Sequence, residues 1–261
     1  MSFLVVIPAR YASTRFPGKP LADLAGWPMI RHVVERGRES GAERVIVATD
    51  DARIESTCHD LGVEVVRTRA DHPSGTDRLA EVAGQLGLDD DAVVVNVQGD
   101  EPLMPPAFIR QVADALAQNP ETPVATLVTP LQSLDELRNP NVVKAVRDRS
   151  GHALYFSRAP IPWDRDHGGT PDHLAGWWRH LGIYAYRAAF LRRYPELEPA
   201  PIEETESLEQ LRVLWHGLRI HAGTVDGDAG PGVDRPEDLE RVRQHLLDRT
   251  AQRSEEGSGN E

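Results

Sequence analysis

The chain has 261 residues, 40% of them hydrophobic, enough for a substantial core without help from disulfides or a structural metal. Its 29 lysines and arginines against 41 aspartates and glutamates leave a net charge of −12, which excludes a general nucleic-acid surface. The single cysteine, Cys58, excludes an internal disulfide and a multi-cysteine zinc site, and reads as a packed free thiol. No apolar run reaches the length of a membrane span or carries a secretory cleavage site, so a soluble, cytoplasmic protein is expected.

In chain order, 3–7 is a continuous run of apolar, mostly branched residues, the pattern of a strand buried on both faces. A polar loop occupies 8–20. A helical pattern covers Met29 to Glu39 and ends at Gly41, followed by a strand over 44–49. Helix 54–61 closes at Gly62, and 63–66 is a third strand. Thr76-Asp77 is read as the cap of a helix running to Gly87. Strand 92–97 and helix 107–117 complete a βαβαβ series with short connections, which predicts a mostly parallel, Rossmann-like sheet flanked by helices.

The second half is less regular and reads as a smaller inserted β-rich substructure within the same domain. Strands are expected at 123–128, 142–146, 153–156 and 181–186, with short helices at 134–137 and near Phe190. The stretch 163–178, rich in Gly, Asp and His, is expected to be a mobile loop. Residues 203–215, with leucines at helical spacing, read as one strong helix, and 236–247 as the last. One domain over 1–250 and a disordered tail at 251–261 are expected.

Two segments carry chemistry. The loop Pro8-Ala9-Arg10-Tyr11-Ala12-Ser13-Thr14-Arg15-Phe16-Pro17-Gly18-Lys19 follows the first strand, where open parallel sheets bind ligands. It offers hydroxyls, backbone amides and three permanent cations, yet it is neither a P-loop nor a dinucleotide-binding glycine motif. A locally cationic loop on an acidic protein suits a small polyanion. The second segment, Gln98-Gly99-Asp100-Glu101, ends the fourth apolar strand at the same sheet edge. One or two carboxylates suffice for a magnesium ion that also holds phosphates, a role Asp100 suits, and Gly99 is expected to admit close backbone approach to a ligand. Asp234, in the Gly/Pro-rich turn before the last helix, is either a helix cap or a second metal carboxylate.

The loop resembles the P-A-R-x-x-S-x-R-x-P-G-K signature of the sugar-acid cytidylyltransferases. The resemblance extends over nearly the whole chain to the 3-deoxy-manno-octulosonate cytidylyltransferases (CMP-Kdo synthetases). It is carried by 6–15, Arg69-Ala70-Asp71-His72, 74–81 and 95–102, then by 153–158, Arg179-His180-Leu181-Gly182-Ile183-Tyr184 and 208–212. Asp77 departs from the glutamate common there, and 168–178 is a stretch that varies within the family.

The resemblance implies that Pro8, Ala9, Arg10, Ser13, Ser74, Gly75, Thr76 and Arg78 line the cytidine and phosphate site. It implies that Arg15 and Lys19 neutralise phosphate charge, and that Asp100 and Asp234 hold Mg2+. Gln98, Arg158, His180, Tyr184, Glu209 and Gln210 would face the sugar acid. Apart from the resemblance, Arg78, Glu209 and Gln210 read as helix-surface residues, and His180 and Tyr184 as core. The implied reaction couples CTP to 3-deoxy-manno-octulosonate (Kdo), releasing pyrophosphate, for lipopolysaccharide synthesis, in a homodimer with Trp177, Trp178 and Leu181 as contact or lid. An 8-amino-Kdo or sialic-acid-like substrate, and a non-catalytic nucleotide-sugar binding protein, are the alternatives.

Overall fold

The structure, a computed structural model, describes residues 2–12 and 15–247. Ser13 and the expected disordered tail at 251–261 lie outside the described residues. In β1 (Leu4–Ala9), Val5 and Ile7 turn to one core and Leu4 and Val6 to the other, so the strand is apolar on both faces. Each branched side chain fully buried this way contributes about 1.5–3 kcal/mol.

After the two-residue strands β2 (Asp23–Leu24) and β3 (Trp27–Pro28) comes α1 (Met29–Glu39), closed at Gly41 with φ 77°. Strand β4 (Arg44–Thr49), helix α2 (Ala52–Asp60), strand β5 (Glu64–Arg67), helix α3 (Gly75–Gln85), strand β6 (Val93–Asn96) and helix α4 (Pro106–Ala117) follow. α2 starts at Ala52, where the Asp51 side chain accepts the Arg53 amide. The expected cap of α3 at Thr76-Asp77 is displaced to Ser74, whose hydroxyl accepts the Asp77 amide and donates to the Asp77 carboxylate at 2.7 Å.

The second half contributes β7 (Val124–Pro130), α5 (Leu134–Arg138), β8 (Lys144–Arg147), β9 (Ala153–Ser157) and β10 (Trp178–Arg187). Then come α6 (Ala188–Arg193), α7 (Pro201–Glu206), α8 (Gln210–Trp215), β11 (Ile220–Thr224) and a helical stretch at 238–247. Residues 158–177 form turns and bends between β9 and β10. The single helix expected over 203–215 is two, broken where Ser207 adopts φ 51°. β11, short and interrupted by His and Gly, has no strand signal in the sequence and pairs parallel to β7.

The strand order is β11-β7-β10-β6-β1-β4-β5, with β8 and β9 branching from β10. β5, β4, β1 and β6 are parallel, whereas β10 runs antiparallel to both β6 and β7. Helices α1, α2 and α4 cover one face, and α3, α6 and α8 the other. The chain moves outward from β1 to β5 and returns as β6 on the other side of β1. The loops leaving β1 and β6 therefore diverge at a topological switch point, the place where open α/β sheets form ligand crevices.

Trp177 is buried against Leu131 and Leu137, Leu181 lies within the central core, and Trp178 stacks under Arg147 at 4.2 Å. These three residues pack over their own chain. Cys58 is buried and its thiol is pushed up to about 11 by burial, as an inert packed cysteine should be.

Candidate active site

A cavity of about 780 Å³ opens at the switch point. From β1 and its loop come Pro8, Ala9, Arg10, Arg15 and Lys19, and from the start of α3 Gly75, Thr76 and Arg78. The turn after β6 supplies Gln98, Asp100 and Glu101, and Asp234 closes the mouth. His180 and Tyr184 enter from β10, and Glu209 and Gln210 from the break between α7 and α8.

The loop after β1 is held by local contacts. The Gly18 amide donates to the Tyr11 carbonyl at 2.9 Å, and Gly18 has φ 72° with Tyr11 packed where a Cβ would project. The Arg53 guanidinium covers the Tyr11 ring at 3.2 Å. Lys19 is thereby aimed at the turn after β6, where its Nζ donates to Asp100 Oδ2 at 2.7 Å and to the Val233 carbonyl at 2.9 Å. Arg15 pairs with Asp234 at 3.5 Å, both well exposed at the mouth. Asp234 does not cap the final helix: the Asp238 carboxylate accepts the amides of Asp234 and Arg235, leaving Asp234 directed at Arg15. The Val233 amide donates to the Asp100 carbonyl at 2.9 Å, which ties the two carboxylate-bearing turns together.

Gly99 lines the cavity and also serves the fold. A Cβ there would sit 2.9 Å from the Pro8 carbonyl, so its absence lets the β6 turn pass the β1 loop. Gly75 is different: its nearest neighbour is Pro8 at 3.8 Å, and the space before it belongs to the cavity.

Arg78 is not the solvated helix charge its position suggests. It is 1% exposed, paired with Asp50 at 3.2 Å and bonded to Thr68, and burial lowers its pKa. Its Nη2 is enclosed and has no hydrogen-bond partner among the described residues. His180 bonds Thr126 at 2.9 Å and packs on the Phe156 and Tyr184 rings; burial pushes the imidazole down to about 3, so it is neutral at physiological pH. Glu209 accepts the Thr76 hydroxyl at 3.3 Å, which fixes the α8 end against α3.

Two expected site residues stand behind the wall. Ser74 is spent on the α3 cap. Arg158 donates to the carbonyls of Glu206 at 2.7 Å, Pro140 at 3.0 Å and Ser207 at 3.3 Å, so it braces two cavity rims and does not line the cavity.

Other wall residues were not singled out from the sequence: Asn96, Glu101, Arg179, Tyr186 and Tyr194. Asn96 could have been noticed as the one polar residue in an otherwise apolar strand, while Tyr194 gave no signal. Burial, with the charges of Asp100 and Asp234, pushes the Glu101 carboxyl up to about 8. The described residues contain no cluster of three or more metal-ligating side chains, but Asp100 and Asp234 facing one cavity fit an ion that takes one or two carboxylates.

An open α/β sheet with a cationic loop, two carboxylates and a polar cavity at its switch point defines a nucleotide-binding transferase architecture. The cytidylyltransferase family model matches residues 4–220. A 3-deoxy-manno-octulosonate cytidylyltransferase of Alkalilimnicola ehrlichii is 62% identical over 94% of this chain and 96% of its own length. One from Halorhodospira halophila is 61% identical over 94% and 97%. A solved CMP:2-keto-3-deoxy-manno-octonic acid synthetase complexed with CTP is 42% identical, with TM-score 0.86 over 95% of this chain and 99% of that one. The chain belongs to the 3-deoxy-manno-octulosonate cytidylyltransferase family, and it is a nucleotidyltransferase enzyme, not a binding protein that has lost catalysis. Among the described residues no helix is long and apolar enough to cross a membrane.

Proposed function

We propose that the protein activates Kdo with CTP, giving CMP-Kdo and pyrophosphate for lipopolysaccharide synthesis in the cytoplasm. The carrying observation is the mouth of the cavity, where Lys19 meets Asp100 and Arg15 meets Asp234. Paired cations and carboxylates on one rim suit a triphosphate that brings its own counter-ion.

In this reading Pro8, Ala9, Arg10, Gly75, Thr76 and Arg78 receive the cytidine nucleotide, with the amides at the start of α3 directed at negative charge. Ser13 adds a hydroxyl to the same loop. Gln98, His180, Tyr184, Glu209 and Gln210 hold the sugar acid, with Arg158 supporting their rim. Asp100 and Asp234 would hold Mg2+, which would supply charge neutralisation for the reacting anions. Lys19 and Arg15 stabilise the charge that grows on the departing pyrophosphate as the sugar's anomeric oxygen bonds to the α-phosphorus. As the P–O bond to the sugar forms, the bond between the α- and β-phosphates breaks and the anomeric hydroxyl gives up its proton to water, with no covalent enzyme intermediate. Neutral His180, bonded to Thr126, positions the sugar and adds no charge beside it.

Residues 1–250 act as a single nucleotidyltransferase domain, and the enzyme works as a homodimer. Leu154 on edge strand β9 and Trp215 on the neighbouring α8 are exposed large apolar side chains that support a contact there. Pyrophosphate release with CTP, magnesium and a panel of sugar acids tests the reading. Turnover confined to 8-amino-Kdo or a sialic acid would replace the substrate.

A further inference from the structure

None of the described residues of the final helix, 238–247, lines the cavity, yet this helix grips all three segments that build the charged mouth. Leu239, Val242 and Leu246 recur at helical spacing along one stripe of it. Against them pack Phe16 from the loop after β1, Leu103 from the turn after β6 and Val233 from the turn carrying Asp234, with Leu24 and Met29 beside them. Val242 and Val233 are fully buried there. This cluster is separate from the two large cores on the faces of the sheet, so its packing acts on the loops at the mouth.

Val233 is the node of the arrangement. Its side chain belongs to the cluster, its amide donates to the Asp100 carbonyl at 2.9 Å, and its carbonyl accepts Lys19 Nζ at 2.9 Å. A shift of Val233 therefore moves the contacts of Asp100 and Lys19 together. The helix takes a second grip at its first residue. Asp238 Oδ2 accepts the amides of Asp234 and Arg235, each at 2.9 Å, while Oδ1 pairs with Arg241 at 2.8 Å. The backbone under Asp234 is thus held by another carboxylate, and the Asp234 carboxylate stays free to meet Arg15.

We propose that the final helix is a clamp that sets the spacing of Asp100 and Asp234 at the cavity mouth, with Asp238 and Val242 as positioning residues. The assignment rests on the reading of those two aspartates as the carboxylates for Mg2+, and adds two residues that act through them. Mg2+ demands near-ideal octahedral geometry, so the spacing of its carboxylates matters. Loss of a residue that orients a metal ligand typically costs about 10-fold to 100-fold in metal affinity or activity.

Calorimetric titration of CTP into the full-length enzyme at low magnesium reads the clamp without turnover, because no sugar acid is present. Asp238→Ala should bind CTP about 10-fold more weakly than wild type there, yet within about twofold of wild type when magnesium is removed. The magnesium needed for half-maximal pyrophosphate release should rise by a similar factor. Asp238→Asn keeps an oxygen for both amides and should restore most of the binding. Val242→Ala leaves the Asp238 bonds in place and tests the packing side independently, with a shift in the same direction. Wild-type enzyme whose CTP binding ignores magnesium would sink the metal reading itself. With wild-type binding dependent on magnesium, Asp238→Ala and Val242→Ala that bind like wild type, even if they melt lower, would overturn the clamp alone. So would a loss that Asp238→Asn shares in full, since the amide contacts would then not be what matters.

Discussion

Lys19 Nζ reaches Asp100 Oδ2 at 2.7 Å and the Val233 carbonyl at 2.9 Å, so one ammonium joins the loop after β1 to both carboxylate-bearing turns. Its removal should act twice, taking a positive charge from the phosphates and leaving Asp100 without its nearest cation. Lys19→Met is expected to lower kcat about 100-fold or more. Lys19→Arg should not restore it, because a planar guanidinium cannot make both short contacts from the same position. Steady-state pyrophosphate release measures both, and wild-type kcat in Lys19→Met would remove Lys19 from the chemistry.

The two carboxylates should be separable from the fold. The side chains of Asp100 and Asp234 cap no helix, and their ion-pair partners are Lys19 and Arg15. Asp100→Ala or Asp234→Ala should nearly abolish turnover with little change in melting temperature. A magnesium titration decides the metal assignment: both variants turning over like wild type at low magnesium would defeat it.

The parallel half of the sheet is legible in the sequence because β1, β4 and β6 are mostly apolar, branched strands and the glycines ending α1 and α2 sit at true helix ends. That placed the β1 loop and Asp100 at one edge. What escaped notice depends on long-range contacts. The split between α7 and α8 rests on a left-handed Ser207, which is masked in the sequence because Leu208, Leu211 and Leu214 keep helical spacing right after it. The resemblance implies that Arg158 faces the sugar acid; that three of its donors go to the carbonyls of Glu206, Pro140 and Ser207 depends on contacts far apart in the chain. Tyr194 reaches the cavity only because the short turn after α6 packs against α3.

Nucleotide choice should be sharp. Pro8, Ala9 and Gly75 present rigid backbone, and Arg78 is locked by Asp50 and Thr68, so the wall cannot open easily for a larger base. CTP should be strongly preferred over ATP and GTP, because a mismatched base leaves buried groups unpaired. Equal turnover with a purine triphosphate at matched magnesium would contradict this wall assignment.

His180 gives the protein a predictable acid sensitivity. Burial lowers its folded-state pKa from 6.5 to about 3, so between those values the unfolded chain binds a proton that the folded chain does not. Stability from this group is therefore complete above about pH 6.5 and is lost as pH falls toward 3. At pH 5 the loss from this residue alone is about 2 kcal/mol. His180→Asn cannot titrate and can still bond Thr126, so the decline in stability between pH 7 and pH 5 should be shallower in the variant. Urea unfolding at several pH values measures both slopes. Parallel wild-type and variant curves would mean that His180 takes up its proton without opposing the fold, and the neutral role assigned to it beside the sugar would fall.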